Sequence, residues 1–173
     1  MSINPPETLI RLANGNDADG LTNLMKLLAT MSPYLLFEND EVPDTTTLSR
    51  MLNASNRDIV LVADQKKALV GYLGIRIGAL RRVRGVGHLA MGVLSESRRN
   101  GIGSKLISEA MKVSVERGLH RIELRVDQEN SQALSLYKRH GFIEEGFAKM
   151  AAIVDGRFVS KIIMAKIIQG THS

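Results

Sequence analysis

Apolar residues recur along the chain with two different periods, and these periods predict a mixture of strands and helices. Short apolar or alternating runs are typical of strands, and they occupy residues 9–12, 58–63, 68–77, 86–93 and 121–126. Apolar residues three and four apart indicate helices after Asp17, after Asp44, between Gly101 and Gly118, and over residues 131–140. Asp17 and Asn130 are suited to cap the first and the last of these helices.

Turn residues mark the ends of several elements. Asp155-Gly156 predicts a two-residue hairpin turn that joins strands at residues 142–152 and 157–168. Residues 65–67 predict a second turn, and residues 31–44, which contain two prolines, are predicted to be mostly irregular. No repeat, low-complexity tract or linker divides the sequence. We therefore expect one mixed α/β (α+β) domain over residues 1–173.

The composition excludes several kinds of site. The chain of 173 residues contains no cysteine, which excludes disulfides, thiolate metal sites and a cysteine nucleophile. The four histidines show no metal-ligand spacing, so no metal is expected. The first residues lack the basic start and apolar run of a signal peptide. No stretch has the length and apolarity of a membrane helix, so we expect a cytoplasmic protein without membrane association.

Charge is divided unevenly along the chain. Residues 1–56 hold three basic and seven acidic residues, a net charge of −4, whereas residues 57–173 have a net charge of +9. This division indicates one surface suited to an anion and another that tolerates a cation, although two unrelated solvated faces give the same pattern. Aromatic residues make up 4% of the chain and tryptophan is absent, so no nucleic-acid partner is expected.

The loop RRNGIGS, residues 98–104, lies between a predicted strand and a predicted helix. Its glycines let backbone N–H groups approach an anion, and the helix N-terminus adds partial positive charge. Arg98 and Arg99 add two full charges. The loop is neither a Walker phosphate loop nor a dinucleotide fingerprint, because the Gly-Lys-Ser/Thr of the first and the third glycine of the second are missing. A plain tight turn is the alternative interpretation.

A second group of candidates, N-x-x-A-x-x-x-Y-x-x-x-G-F, begins at Asn130 and ends at Phe142. Tyr137 follows Asn130 by about two helical turns, so both side chains project from roughly the same side of the predicted helix. Asn130 is suited to cap the helix or to bind an amide-bearing ligand. Tyr137 is suited to core packing or to a role in catalysis.

Taken in order, the strand GHLAMGV, the loop RRNGIGS, the strand RIELRV and the block from Asn130 to Phe142 resemble the GNAT superfamily of N-acetyltransferases. The resemblance covers most of the chain from about Asp58 onward. It implies a mixed, mostly antiparallel central sheet flanked by helices, with two central strands that splay apart to admit acetyl-CoA. It also implies an acetyl-CoA-dependent N-acetyltransferase in which acetyl-CoA is the acyl-donor cosubstrate.

The resemblance assigns roles to individual residues. The backbones of Met91, Gly92 and Val93 would pair with the pantetheine arm. The loop would bind the pyrophosphate through main-chain N–H groups, and its residues are Arg98, Arg99, Asn100, Gly101, Ile102, Gly103 and Ser104. Asn130 would contact the pantetheine or the diphosphate. Tyr137 would lie near the thioester sulfur, where a protonated phenol can act as general acid.

The general base is where this chain departs from many relatives, which carry a glutamate on the fourth strand. Residues 86–93 hold no acid, and His88 is the only titratable side chain of that strand. An imidazole titrates near pH ~6.5, which suits a base, so His88 is a candidate. A half-buried structural histidine is the alternative interpretation. Glu96 and Glu123 are weaker candidates for the base.

We therefore expect direct transfer of an acetyl group to a primary amine of a small molecule or peptide. Two alternatives stay open: a CoA-binding sensor or interaction module without catalysis, and a transferase that uses a longer acyl-CoA. The acidic residues between Lys26 and Arg50 predict electrostatic attraction of an ammonium group. The exposed edge of the C-terminal hairpin is compatible with a homodimer.

Overall fold

Strands and helices follow the predicted order in the computed structural model, which describes residues 7–35, 37–54, 57–66 and 68–168. The strands are β1 (Leu9–Leu12), β2 (Ile59–Gln65), β3 (Ala68–Ile77), β4 (Val86–Val93), β5 (Arg121–Asp127), β6 (Ile143–Val154) and β7 (Arg157–Ile167). The helices are α1 (Ala18–Met31), α2 (Thr45–Ala54), α3 (Ile102–Glu116) and α4 (Ser131–Arg139). The predicted turn at residues 65–67 is described only in part, because Lys67 lies outside the described residues.

The strands form one seven-stranded sheet in the order β1-β2-β3-β4-β5-β7-β6. Within the described chain β4 and β5 are parallel and the other neighbouring strands are antiparallel. The mixed, mostly antiparallel sheet is therefore confirmed. The β6–β7 hairpin closes at Asp155 and Gly156, with φ angles of 48° and 74°, as a type I′ turn requires at both central positions.

Helices cover both faces of the sheet. On one face α1 packs on β3 and β4, and a Cβ atom on Gly92 would lie 2.8 Å from Cδ1 of Leu28. On the other face α3 packs on β2 and β3, and a Cβ atom on Gly71 would lie 3.5 Å from Cδ1 of Leu106. Each fully buried leucine or isoleucine of this kind contributes about 1.5–3 kcal/mol to the free energy of unfolding. Below, these faces are called the α1 face and the α3 face.

The predicted capping of the first helix by Asp17 is wrong. Asp17 makes no side-chain cap hydrogen bond to α1. Its carboxylate instead accepts two hydrogen bonds from Arg11, at 2.7 and 2.8 Å, and one from the backbone N–H of Asn14. Arg11 also bonds Asp64 of β2. Two parallel bonds from the charged Arg11 guanidinium are stronger than one bond from a helix N–H, so the carboxylate links β1 to the start of α1.

None of the described helices has the length and apolarity needed to cross a bilayer.

Candidate active site

A gap between β4 and β5 divides the sheet near its centre. Within the described chain the parallel pairing has three pairs, and its last pair is His88 with Glu123. Beyond this pair, β4 continues beside β3 to Val93 and β5 continues beside β7 to Asp127. Two strand edges thus face each other without a ladder, and their backbone groups are placed to bond an extended ligand. We call this opening the β4–β5 split.

The predicted anion loop leads from the end of β4 to the start of α3. Arg98 donates from Nε to the carbonyl oxygen of Val93 at 3.0 Å, so its side chain also holds the end of the strand. Arg99 and Gly101 have φ angles of 63° and 73°, a conformation that is costly for most L residues. Gly101 is the N-cap of α3 and provides no side-chain cap hydrogen bond. The first N–H groups of a helix need hydrogen-bond partners, and in α3 these N–H groups belong to the last residues of the loop.

The loop, β4 and α4 converge at the start of α3. A Cβ atom on Gly103 would lie 3.1 Å from Cδ2 of Leu136 and 3.5 Å from Cε of Met91. Ile102 is buried and Ser104 is half-buried, whereas the loop residues before them are exposed, including Asn100. The structure therefore places the predicted anion loop beside the strand that was predicted to bind pantetheine.

Asn130 caps α4, as predicted. Its Oδ1 atom accepts a hydrogen bond from the N–H of Ala133 at 3.1 Å. Asp127, at the end of β5, positions the turn before α4. Its carbonyl oxygen accepts from the N–H of Asn130, and its carboxylate lies 3.5 Å from the buried Lys161 ammonium. The capping oxygen is thus used by the helix, and the amide NH2 of Asn130 is the group that can bind a ligand.

Tyr137 lies on α4 and is 8% exposed. Its ring contacts Phe142 edge-on, with centroids 5.6 Å apart. Burial raises the pKa of this phenol above its ordinary value, and the neighbouring Tyr72 phenol raises it further. Tyr137 therefore keeps its proton at neutral pH, as a general acid must.

His88 lies at the closed end of the β4–β5 split. Its side chain is 58% exposed, and its Nδ1 atom lies 3.1 Å from Oε1 of Glu123. The other Glu123 oxygen accepts from Nε of Arg121 at 3.1 Å, and Arg121 also pairs with Glu145. His88 shares a strand face with Gly92, which is the α1 face. A carboxylate that holds Nδ1 leaves Nε2 of an imidazole as the proton acceptor.

The predicted acid and base thus approach the β4–β5 split from opposite faces. Helix α4, which carries Tyr137, lies with α3, while His88 projects toward the α1 face. Glu96, the other weak candidate for the base, is exposed and accepts from the hydroxyl of Ser95 at 3.0 Å. The contact between His88 and Glu123 could not be predicted from the sequence, since it depends on the register of two strands.

Tyr72 of β3 is a further candidate residue, and no sequence motif pointed to it. It pairs with Gly92 in the β3–β4 register and is 5% exposed. Burial raises the pKa of its phenol above the ordinary value. A polar aromatic residue within an apolar strand was the signal that could have drawn attention to it.

A cavity of about 590 Å³ lies between the end of α1 and the tip of the β6–β7 hairpin. Its lining includes the acidic residues Glu38, Glu41 and Asp155 beside the apolar residues Phe37 and Ile153. Oε2 of Glu41 also accepts a hydrogen bond from the backbone N–H of Glu38 at 2.8 Å. Because α1 packs on β3 and β4 while the hairpin adjoins β5, the cavity is bordered by both halves of the divided sheet. We call it the acidic cavity.

Comparison with known proteins identifies the family. The family model of the acetyltransferase (GNAT) family matches residues 24–142. The chain therefore belongs to the GNAT family of acetyltransferases, and the predicted family is confirmed. It is an acetyl-CoA-dependent N-acetyltransferase.

Individual relatives agree with this assignment. The L-amino acid N-acetyltransferase AaaT of Escherichia coli (strain K12) is 32% identical over 108 residues, which are 62% of this chain and 67% of that protein. The spermidine N(1)-acetyltransferase of Vibrio cholerae serotype O1 is 29% identical over 127 residues, 73% of this chain and 70% of that protein. The crystal structure of a GNAT-family acetyltransferase from Streptococcus pneumoniae has a TM-score of 0.89 at 28% identity, and the match covers 94% of this chain and 100% of that one.

Proposed function

We propose that acetyl-CoA binds in the β4–β5 split with its diphosphate at the start of α3. The observation that carries this proposal is that the open edge of β4 leads directly into the loop before an uncapped helix. The backbones of Met91, Gly92 and Val93 then bond the pantetheine arm as an added strand would. Apart from its chain neighbours, no described residue comes within 4 Å of where a Cβ atom on Gly101 would lie, so the space beside the N-cap of α3 is open.

The anion loop supplies the charge for the diphosphate. Its backbone N–H groups and the positive end of the α3 dipole favour an anion, and the side chains of Arg98 and Arg99 are exposed beside them. The full set in this role is Arg98, Arg99, Asn100, Gly101, Ile102, Gly103 and Ser104. The free amide NH2 of Asn130 donates to the pantetheine or diphosphate.

The protein's residues divide the proton transfers between the two faces of the sheet. Bound acetyl-CoA supplies the acetyl thioester. His88, oriented by Glu123, accepts the proton that the acceptor amine loses as its nitrogen bonds the acetyl carbon. Tyr137 donates its proton to the sulfur as the carbon–sulfur bond breaks. General acid–base help of this kind contributes about 10²–10⁴-fold to a rate, and direct transfer needs no covalent enzyme intermediate.

The acceptor that the site suits best is a primary amine, on a small molecule or peptide, that carries positive charge. Glu38, Glu41 and Asp155 line the acidic cavity on the α1 side, and acidic residues around a cavity attract ammonium groups. The two curated relatives described above are named for amine-bearing acceptors, an L-amino acid and spermidine.

The test is release of free CoA thiol during incubation with acetyl-CoA and a panel of amines. The chain has no cysteine, so a thiol reagent detects CoA alone. We expect release with acetyl-CoA that depends on a cationic primary amine. The proposal is wrong if thiol appears only with a longer donor such as butyryl-CoA, or if CoA binds and no amine yields thiol.

A substitution tests the base. His88→Gln should lower kcat/KM by about a hundredfold at neutral pH, because a general base contributes roughly 10²–10⁴-fold. His120→Gln is the matched control, since His120 is exposed and lies outside the site. Equal activity of the His88 and His120 variants would assign the base to another group.

A further inference from the structure

Tyr72 carries a buried hydroxyl group for which the described residues offer no hydrogen-bond partner. Only 5% of the residue is exposed. A hydroxyl buried without a partner costs free energy, and such a group in a native protein demands an explanation. Ser114 Oγ is in the same state among the described residues, but Ser114 lies in the last turn of α3, at the end far from the anion loop.

The Tyr72 ring lies over Gly92 and extends toward the β4–β5 split. Tyr72 pairs with Gly92 across β3 and β4, and a Cβ atom on Gly92 would lie 3.3 Å from Cε1 of Tyr72. A glycine at this position therefore makes room for the ring. In the sheet, β4 lies between β3 and β5, so a ring that leans from β3 over Gly92 of β4 directs its hydroxyl toward the β4–β5 split.

Tyr137 reaches the same place from the other face. The Tyr72 phenol is near enough to Tyr137 to contribute to the raised pKa of the Tyr137 phenol, after the larger effect of burial. Both phenols thus keep their protons at neutral pH. The end of the acetyl-CoA arm offers two different atoms to such donors. The carbonyl oxygen is a strong hydrogen-bond acceptor, and the sulfur is a weak one.

We propose that the Tyr72 hydroxyl donates a hydrogen bond to the carbonyl oxygen of the acetyl thioester and is a catalytic residue beside Tyr137. This rests on the proposed position of acetyl-CoA in the β4–β5 split. When the carbon–nitrogen bond forms and the carbon–sulfur bond breaks, negative charge gathers on that oxygen, and a buried donor already in place stabilises it. Tyr72 keeps its proton throughout, because Tyr137 protonates the sulfur and His88 receives the amine proton.

The test compares two ligands that differ in the carbonyl group. S-ethyl-CoA has the length of acetyl-CoA and no carbonyl oxygen. By calorimetry, Tyr72→Phe should weaken acetyl-CoA binding by about fivefold, the size of one hydrogen bond, and leave S-ethyl-CoA binding unchanged. Tyr34→Phe, which removes an exposed phenol, should change neither affinity.

A second readout separates this role from a structural one. Tyr72→Phe removes a hydroxyl that has no hydrogen-bond partner in the described part of the chain, so the melting temperature of the ligand-free protein should stay the same or rise. The proposal is overturned if that temperature falls, if acetyl-CoA binding changes by less than about twofold, or if both ligands weaken equally, as a pantetheine contact predicts. Failure of the unsubstituted protein to bind either ligand would overturn the proposed function and this inference together.

Discussion

At the scale of single residues, Tyr137 is held in place by backbone contacts as well as by its ring. Its carbonyl oxygen accepts from the N–H groups of His140 and Phe142, at 3.0 and 3.1 Å, and its ring packs edge-on against Phe142. These contacts need the main chain and the aromatic ring, and they do not need the hydroxyl. The phenolic proton is therefore separable from the packing.

Tyr137→Phe tests this separation. The variant keeps the ring, so the melting temperature and the affinity for CoA should change little, while kcat falls by at least roughly tenfold because the proton donor is lost. Steady-state kinetics with a true acceptor, together with thermal unfolding, measures both. Unchanged kcat would make Tyr137 a core aromatic only, and a parallel loss of activity and stability would favour the packing interpretation.

The buried phenol also makes stability depend on alkaline pH. Because burial raises the pKa of Tyr137, the unfolded chain loses this proton at lower pH than the folded protein does. The free energy of unfolding should fall as pH rises past ~10, by about 1.4 kcal/mol per pH unit for this phenol. The measurement is denaturant unfolding of the unsubstituted protein and of Tyr137→Phe at several pH values. These values run from about 9 to about 11, one unit on either side of the ordinary tyrosine pKa. The variant should lose less stability, and parallel curves would contradict the prediction.

At the scale of elements, the two ends of α3 provide a matched pair of glycines. Gly101 precedes the helix with a φ angle of 73°, and Gly118 follows it with a φ angle of 74°. A Cβ atom at either position would meet nothing within 4 Å. Substitutions at the two sites therefore cause the same backbone strain. They differ in position, because Gly101 belongs to the anion loop and Gly118 lies at the other end of α3.

Gly101→Asp should abolish stabilisation by CoA, because it places a carboxylate beside the N–H groups that we propose bind the diphosphate. At about 100 times the dissociation constant, CoA should stabilise the unsubstituted protein by ~2.7 kcal/mol. Gly118→Asp should keep that stabilisation, which a thermal-shift titration measures. Gly103 is a poorer choice, since its Cβ position lies 3.1 Å from Leu136. Loss of the shift in both aspartate variants would place the anion elsewhere.

Local sequence patterns predicted the helices and strands well. They could not predict side-chain contacts or strand register between segments that are distant in the sequence. The Asp155-Gly156 turn and the capping by Asn130 depend on neighbours in sequence, so they were predictable. Asp17 was not, because its partner Arg11 is set by the junction of three elements. The contact of His88 with Glu123 depends on which residues two separate strands bring opposite each other, and a single sequence does not encode that register locally.

At the scale of the whole molecule, the uneven charge of the sequence corresponds to two distinct sites. The segment with a net charge of +9 contains the anion loop, while Glu38 and Glu41 of the acidic cavity come from the segment with a net charge of −4. Asp155 joins them from the hairpin tip. In the function proposed above, the anionic cosubstrate and a cationic acceptor would thereby be attracted to different parts of the protein.

Salt should separate these two attractions. For a cationic acceptor, kcat/KM at saturating acetyl-CoA should fall as ionic strength rises, because surface attraction is screened over about 10 Å at 0.1 M salt. Glu38→Gln should flatten this dependence, while Glu109→Gln, at a half-buried position of α3 that does not line the acidic cavity, should not. A kcat/KM that rises or stays constant with salt would argue against electrostatic attraction of the acceptor.

The β4–β5 split has a consequence for the lifetime of the protein. The two halves of the sheet are joined side by side through three residue pairs of β4 and β5, so this seam has fewer cross-strand bonds than its neighbours, and local opening begins where such bonds are few. Acetyl-CoA bound along β4 in the position proposed above would fill the split and suppress this opening by mass action. Turnover of the enzyme by proteolysis would then follow the supply of acetyl-CoA, with the protein persisting longest when its donor is abundant.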